Sequence, residues 1–157
     1  MRTVLDLGRR VARGQGDDSG NAVVEFLGLA LVLMVPLVYL VLVLGRLEAA
    51  SFAAEGAARE AARAVVVADT FQEGTVTAGA AAGIALRDQG FEDDPIDALT
   101  LRCSSTPCLE PGSDVSARID LTVPLPFVPG FVRHVVPLEV QVSAERVAPV
   151  DAYRARR

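Results

Sequence analysis

Hydropathy along the 157-residue chain passes through three regimes, and each predicts a different kind of element. From Phe26 to Gly45 no residue is charged. This twenty-residue window is rich in Leu and Val, with Pro36 and Tyr39 as its notable interruptions. At ~1.5 Å per helical residue it spans ~30 Å, about the thickness of bilayer hydrocarbon, so a transmembrane helix is expected over residues 21–45. A cleaved secretory signal is the competitor, with LEAAS after the run offering a small-residue cleavage site. Its apolar core is usually only about 7 to 15 residues long, shorter than the run seen here.

Before the span, residues 1–20 read as a polar leader ending in GQGDDSG, too rich in Gly and Asp to continue a helix, and order is expected from about Asn21. After it, residues 46–69 are dominated by Ala, the best helix former, with Glu55 four residues before Arg59. At helical spacing Glu48, Glu55, Arg59 and Arg63 form one stripe, while Leu47, Ala54, Ala58, Ala61 and Val65 form an apolar one. Such a flat apolar face suits close packing on another helix or a sheet. Thr70 to Gly74 reads as a break, residues 75–90 as a second helix capped by Thr75 or Thr77, and FEDDP, residues 91–95, as a turn.

The remainder has period two. Val115, Ala117, Ile119, Leu121 and Val123 alternate with polar residues over 114–123, and Leu138, Val140, Val142 and Ala144 repeat the pattern over 138–145. Leu99, Leu101 and Cys103 form a shorter run. Three strands with short connections predict an antiparallel sheet with one face covered, the apolar stripe of the first helix being the nearest cover. The fold class expected is therefore α+β: one membrane helix (21–45) behind a leader (1–20), then an extracytoplasmic domain (46–157), helical over 46–90 and strand-rich over 96–148.

Composition narrows the function classes. The apolar fraction is 51% and the net charge is -5, with fifteen Arg and no Lys. Acidic residues are spread along the chain, so no basic stripe tracks a phosphate backbone and nucleic acid is not an expected partner. Arg2, Arg9, Arg10 and Arg13 precede the span and Arg46, Arg59 and Arg63 follow it, so the count of cations only slightly favours a cytoplasmic N-terminus.

Glu25 stands one turn inside the apolar segment. By insertion scales a carboxylate costs roughly 2.5 to 3.5 kcal/mol at the centre of a membrane helix and less near its end. One reading is a tolerated boundary charge; the other requires a partner. Cutting after Gly20 would create an amino group on Asn21, four residues before Glu25 and on the same helix face. Amine and carboxylate would neutralise each other, within one chain or between neighbours.

Gly20 followed by NAVVEF resembles the processing site of type IV prepilins: Gly, four residues, then Glu and an aromatic, here Glu25 and Phe26, at the start of a membrane helix. Two further segments narrow the resemblance to TadE/TadG-like pilus assembly proteins of tight-adherence systems. EGAAREAARAVV, residues 55–66, is similar to the Ala, Arg and Glu repeat after the span in that family. VPLPFVPGF followed by PLEVQVSAERV is similar to its Pro-rich segment and final strand. Asp17 and Asp18 depart from the family, which more often shows basic residues there. The resemblance implies a pilin-like or minor-pilin component rather than an enzyme. Gly20 and Asn21 would flank a prepilin peptidase cut, and Glu25 and Phe26 would serve assembly with other pilin-like subunits and the tight-adherence machinery. No cofactor is implied. The alternative is a membrane-anchored binding or sensory module without a filament role.

Cys103 and Cys108 enclose SSTP at a strand end; outside the membrane they would form a disulfide, whereas in the cytoplasm they would be free thiols. With His134 they make too few ligands for a metal site. No nucleophile elbow or phosphate loop is visible, Ser104, Ser105 and Ser113 lack a base, and Asp93 with Asp94 suits a solvated turn, so an anchored hydrolase has little support. The apolar loop PFVPGFV either packs over the end of the sheet or meets a partner subunit.

Overall fold

The computed structural model describes residues 18–126 and 138–154, with side chains from Ala22 onward. The order of elements is α1 (Asp18–Val67), α2 (Phe71–Asp88), α3 (Pro95–Ala98), β1 (Leu99–Cys103), β2 (Asp114–Pro124) and β3 (Glu139–Pro149). The chain divides into two units, one ending at Leu42 and one beginning at Val43. In the first, α1 presents its apolar side chains to the surroundings on every side; Val24, Phe26, Val32 and Val35 are all about two-thirds exposed. The helix is long and apolar enough to cross a membrane. It continues through Pro36, whose missing N–H leaves the carbonyl of Val32 without its usual donor. Helix is already present at Asp18, three residues earlier than the Gly- and Asp-rich leader suggested.

In the second unit the small residues of α1 explain the packing. Ala50, Ala53, Ala54, Ala57, Ala58, Ala61, Ala62 and Val65 are at most 1% exposed and share one hydrophobic core with residues of α2 and the sheet. The buried arc is wider than the expected stripe of Leu47, Ala54, Ala58, Ala61 and Val65, because two layers contribute to the same core. Short side chains allow this: with only a Cβ to accommodate, neighbouring backbones approach closely.

The helical turn between α1 and α2 is tighter than the sequence suggested. Thr70, not Thr75 or Thr77, caps α2: its side chain accepts a hydrogen bond from the N–H of Glu73 at 3.2 Å. Thr75 and Thr77 instead donate back to Phe71 and Glu73, one turn earlier inside the helix. Gly74, read as a breaker, lies within α2 and is buried. A Cβ there would stand 3.0 Å from the Cα of Val65. Replacing Gly74 by Ala should therefore lower stability by about 1 to 3 kcal/mol despite Ala's better helix propensity, as a thermal or urea melt would read. At its other end α2 closes with a Schellman pattern: Gly90 at φ +73 donates to Arg87 and Phe91 donates to Leu86.

The expected turn at FEDDP is irregular only through Asp94. The Asp94 side chain accepts from Ile96 N–H at 2.9 Å and caps α3, which begins at Pro95.

The sheet has the order β1-β2-β3 and both pairs are antiparallel, with Leu99 opposite Ile119 and Leu121 opposite Val142. Val115, Ala117, Ile119, Leu121 and Val123 point into the core and are at most 2% exposed, as their alternation required. On the outer face of β2, Arg118 donates to both oxygens of Asp120. That hydrogen bond, and then the charge of Asp120, raise the guanidinium pKa further above its already high value. β3 runs to Pro149, past the apolar alternation that reaches Glu145 in the sequence, and Arg146 occupies an inward position between Ala144 and Ala148. Its guanidinium meets Glu55 of α1 at 2.7 Å, so Glu55 pairs with the sheet rather than with Arg59.

Candidate functional site

The residues singled out for processing and assembly lie at the start of α1. Gly20 and Asn21 are helical in backbone. Glu25 is one turn beyond Asn21, since four residues advance a helix by ~6 Å and return to nearly the same face. Glu25 and Phe26 are both exposed, Phe26 by 68%, among apolar side chains that find no cover among the described residues. This constellation presents a carboxylate near the start of the apolar run. No chemistry beyond ion pairing and packing follows from those groups.

The second unit is held by polar contacts placed around its rim. Cys103 and Cys108 form a disulfide with Cα atoms 5.5 Å apart, joining the end of β1 to the loop that leads into β2. Ser104 receives the N–H of Asp114 on its hydroxyl at 2.8 Å and closes the same loop. Arg46, the first charge after the apolar run, stacks over the ring of Phe91 at 3.9 Å and donates to the carbonyl of Gly90 at 3.2 Å. This combination of cation–π contact and hydrogen bond ties the segment after α2 to α1.

Arg154 makes the corresponding contact at the other end of α1. Its guanidinium donates to the carbonyls of Val66 at 2.9 Å and Asp69 at 3.0 Å, and also to that of Ala68. Helix α1 has no basic residue in its last turn, so the cation that its C-terminal dipole favours arrives from 85 or more residues away. Nothing local in the sequence marked Arg154 for this role; it reads there as one more terminal arginine.

A shallow apolar groove lies between α2, α3 and the free edge of β1, lined by Phe71, Gly79, Pro95, Ile96, Leu99 and Leu101. Thr75 is the polar residue at its wall. Among the described residues no group of three or more His, Cys, Asp or Glu is placed to hold a metal ion. Asp93 is exposed and Asp94 caps α3. Ser105 donates to the carbonyl of Pro107, and Ser113 to that of Glu110. His134 and most of the apolar loop 124–132 fall outside the described residues. Comparison of the chain with protein-family models, with curated proteins and with solved structures finds no match.

Proposed function

We propose that this protein is a pilin-like or minor-pilin component of a TadE/TadG-like, tight-adherence assembly system. It would be anchored by α1 with a cytoplasmic N-terminus and an extracytoplasmic α+β domain. The observation that carries the reading is the sequence Gly20, Asn21 and Glu25 at the very start of an apolar helix whose side chains are uncovered. A carboxylate in that place costs less than at the helix centre, and cleavage after Gly20 would supply a partner that offsets what remains. The disulfide adds support for an extracytoplasmic domain, since such bonds persist in oxidising compartments. Prepilin peptidase would release the leader, and the mature helix would then pack with other pilin-like helices while the domain over residues 46–157 faces the exterior.

Intact-mass measurement of the protein purified from membranes tests this directly. A mature chain beginning at Asn21 is expected in cells with active prepilin peptidase. An intact Met1 in those cells would overturn the reading and leave the alternative, an anchored binding or sensory module. The groove beside β1 is the feature that favours that alternative.

A further inference from the structure

Contacts along α1 give the second unit two distinct ends. Arg154 closes α1 at Val66 and Asp69, and Arg146 meets Glu55 at 2.7 Å, so β3 runs in the same direction as α1. Helix α2 returns the opposite way: Gly74 lies against Val65, and Gly90 and Phe91 lie against Arg46. Arg46 is also the first charge after the apolar run that ends at Gly45. The end of the unit that holds Arg46 and Phe91 therefore lies where the apolar run stops.

The hairpin of β2 and β3 reaches the same level. Glu139 is seven residues before Arg146, about 23 Å of strand, whereas Arg46 is nine residues before Glu55, about 14 Å of helix. Only a strand crossing the helix at more than about 50° would leave Glu139 short of Arg46. Leu125 and Leu138 lie one step further out than the paired Pro124 and Glu139, and the N–H of Leu125 donates to the carbonyl of Leu138 at 3.1 Å. Both leucines are half-buried, as is Pro126. Between these ends the sequence runs FVPGFVRHVVP, residues 127–137, in which six residues are Phe or Val and Arg133 is the one formal charge. On the α2 side of the same end, Glu92 and Asp93 are exposed. The end is thus apolar at the hairpin and acidic at α2.

We infer that this end of the second unit is a lipid-contact surface, with Leu125, Pro126 and Leu138 resting in the headgroup layer of the bilayer that α1 crosses. The inference rests on the proposed anchoring by α1 and on no other part of the pilin-like reading. Two observations select lipid over a soluble partner. The surface is continuous with the end of the apolar run, and the chain leaves and re-enters the hairpin there through eleven residues rich in Phe and Val. Arg46 suits the same level, because a long side chain buries its stem while its guanidinium stays at the boundary, here on Gly90 and Phe91. Glu92 and Asp93 keep the α2 side in water, which confines the contact to the hairpin. Together with α1 it attaches the domain to one surface at two points and restrains its tilt.

Fluorescence quenching by lipid tests it. The chain contains no Trp, so a single introduced indole reports alone. Full-length chains carrying Leu125→Trp, Leu138→Trp, Tyr39→Trp or Val147→Trp are reconstituted in vesicles of phosphatidylethanolamine and phosphatidylglycerol, with and without brominated acyl chains. Val147 is exposed and nine residues beyond Leu138, about 30 Å along β3, so it is the reference in water. Brominated lipid should quench Leu125→Trp, Leu138→Trp and Tyr39→Trp about fivefold more strongly than Val147→Trp. Two hairpin positions keep the test open should one substitution disturb the strand ends. Quenching of Tyr39→Trp with both hairpin variants behaving as Val147→Trp overturns the inference and leaves anchoring by α1 standing; no quenching of Tyr39→Trp overturns both. Equal quenching of Val147→Trp would put the whole sheet in lipid and overturns it too. So does blue-shifted but unquenched emission from the hairpin variants, which means cover by another copy if it requires concentrated protein and by the chain itself if it survives dilution.

Discussion

Replacing Glu25 by Ala is expected to leave the protein in the membrane fraction and to remove it from assembled filaments or export complexes. Insertion should persist or improve, because a carboxylate near the end of an apolar helix opposes partition into hydrocarbon and a methyl group does not. Assembly should fail because an amine on Asn21, once desolvated, would have lost the charge that offsets its burial. Glu25→Gln separates charge from shape: it keeps the side chain's length and hydrogen-bonding capacity but not its anion, and should behave as the alanine variant does. Fractionation followed by immunoblotting reads both effects. Normal assembly of either variant would count against the pairing of Glu25 with an N-terminus.

Arg154→Ala should produce the largest loss of stability from any single side chain on the rim of the domain, on the order of 3 kcal/mol. Three carbonyls at the end of α1 receive its guanidinium, and charge-assisted hydrogen bonds contribute about 1.5 to 3 kcal/mol each without adding fully. Removal leaves those acceptors to water where water can reach them, which is why the expected loss is less than a sum. Arg154→Lys should recover only part of the difference, since an ammonium restores the charge near the helix C-terminus but cannot reproduce the planar fork. Urea melts of the purified protein, followed by circular dichroism, would measure it. A change below 0.5 kcal/mol, on the order expected for a surface substitution, would show that the contact is incidental.

The order of the two long helices and the three strands was legible because each rests on a short-range signal. An uncharged twenty-residue run, an Ala-rich stretch and strict alternation over 114–123 need no tertiary information to be recognised. The start of α2 was legible too, through Thr70 followed three residues later by Glu73, a pattern that often marks a helix start. Reading Gly74 as a helix breaker obscured it; the glycine is there because α1 passes close by. The alternation that marks β3 stops at Glu145 for a comparable reason. Arg146 interrupts the apolar alternation, and only the approach of Glu55 at 2.7 Å makes a guanidinium acceptable at an inward position.

The candidate processing and assembly residues depend on spacing along the chain, so Gly20, Asn21, Glu25 and Phe26 could be named without a structure. The partners of the polar stripe on α1 could not. Glu48, Glu55, Arg59 and Arg63 form a regular polar face in the sequence, yet the structure separates them: Glu55 is engaged by the sheet, while the other three have no side-chain partner among the described residues.

By itself, then, the sequence determined that two long helices precede three strands, and that one helix is apolar enough to cross a membrane. Tertiary structure decided which arc of α1 is buried, which charges are spent internally, and that Arg154 closes the end of a helix more than 80 residues earlier in the chain. Periodicity is carried by neighbouring residues and survives in one dimension. Alanine, in contrast, carries little information about which neighbour will cover it, and a hydrogen bond between distant segments exists only once packing has brought donor and acceptor together.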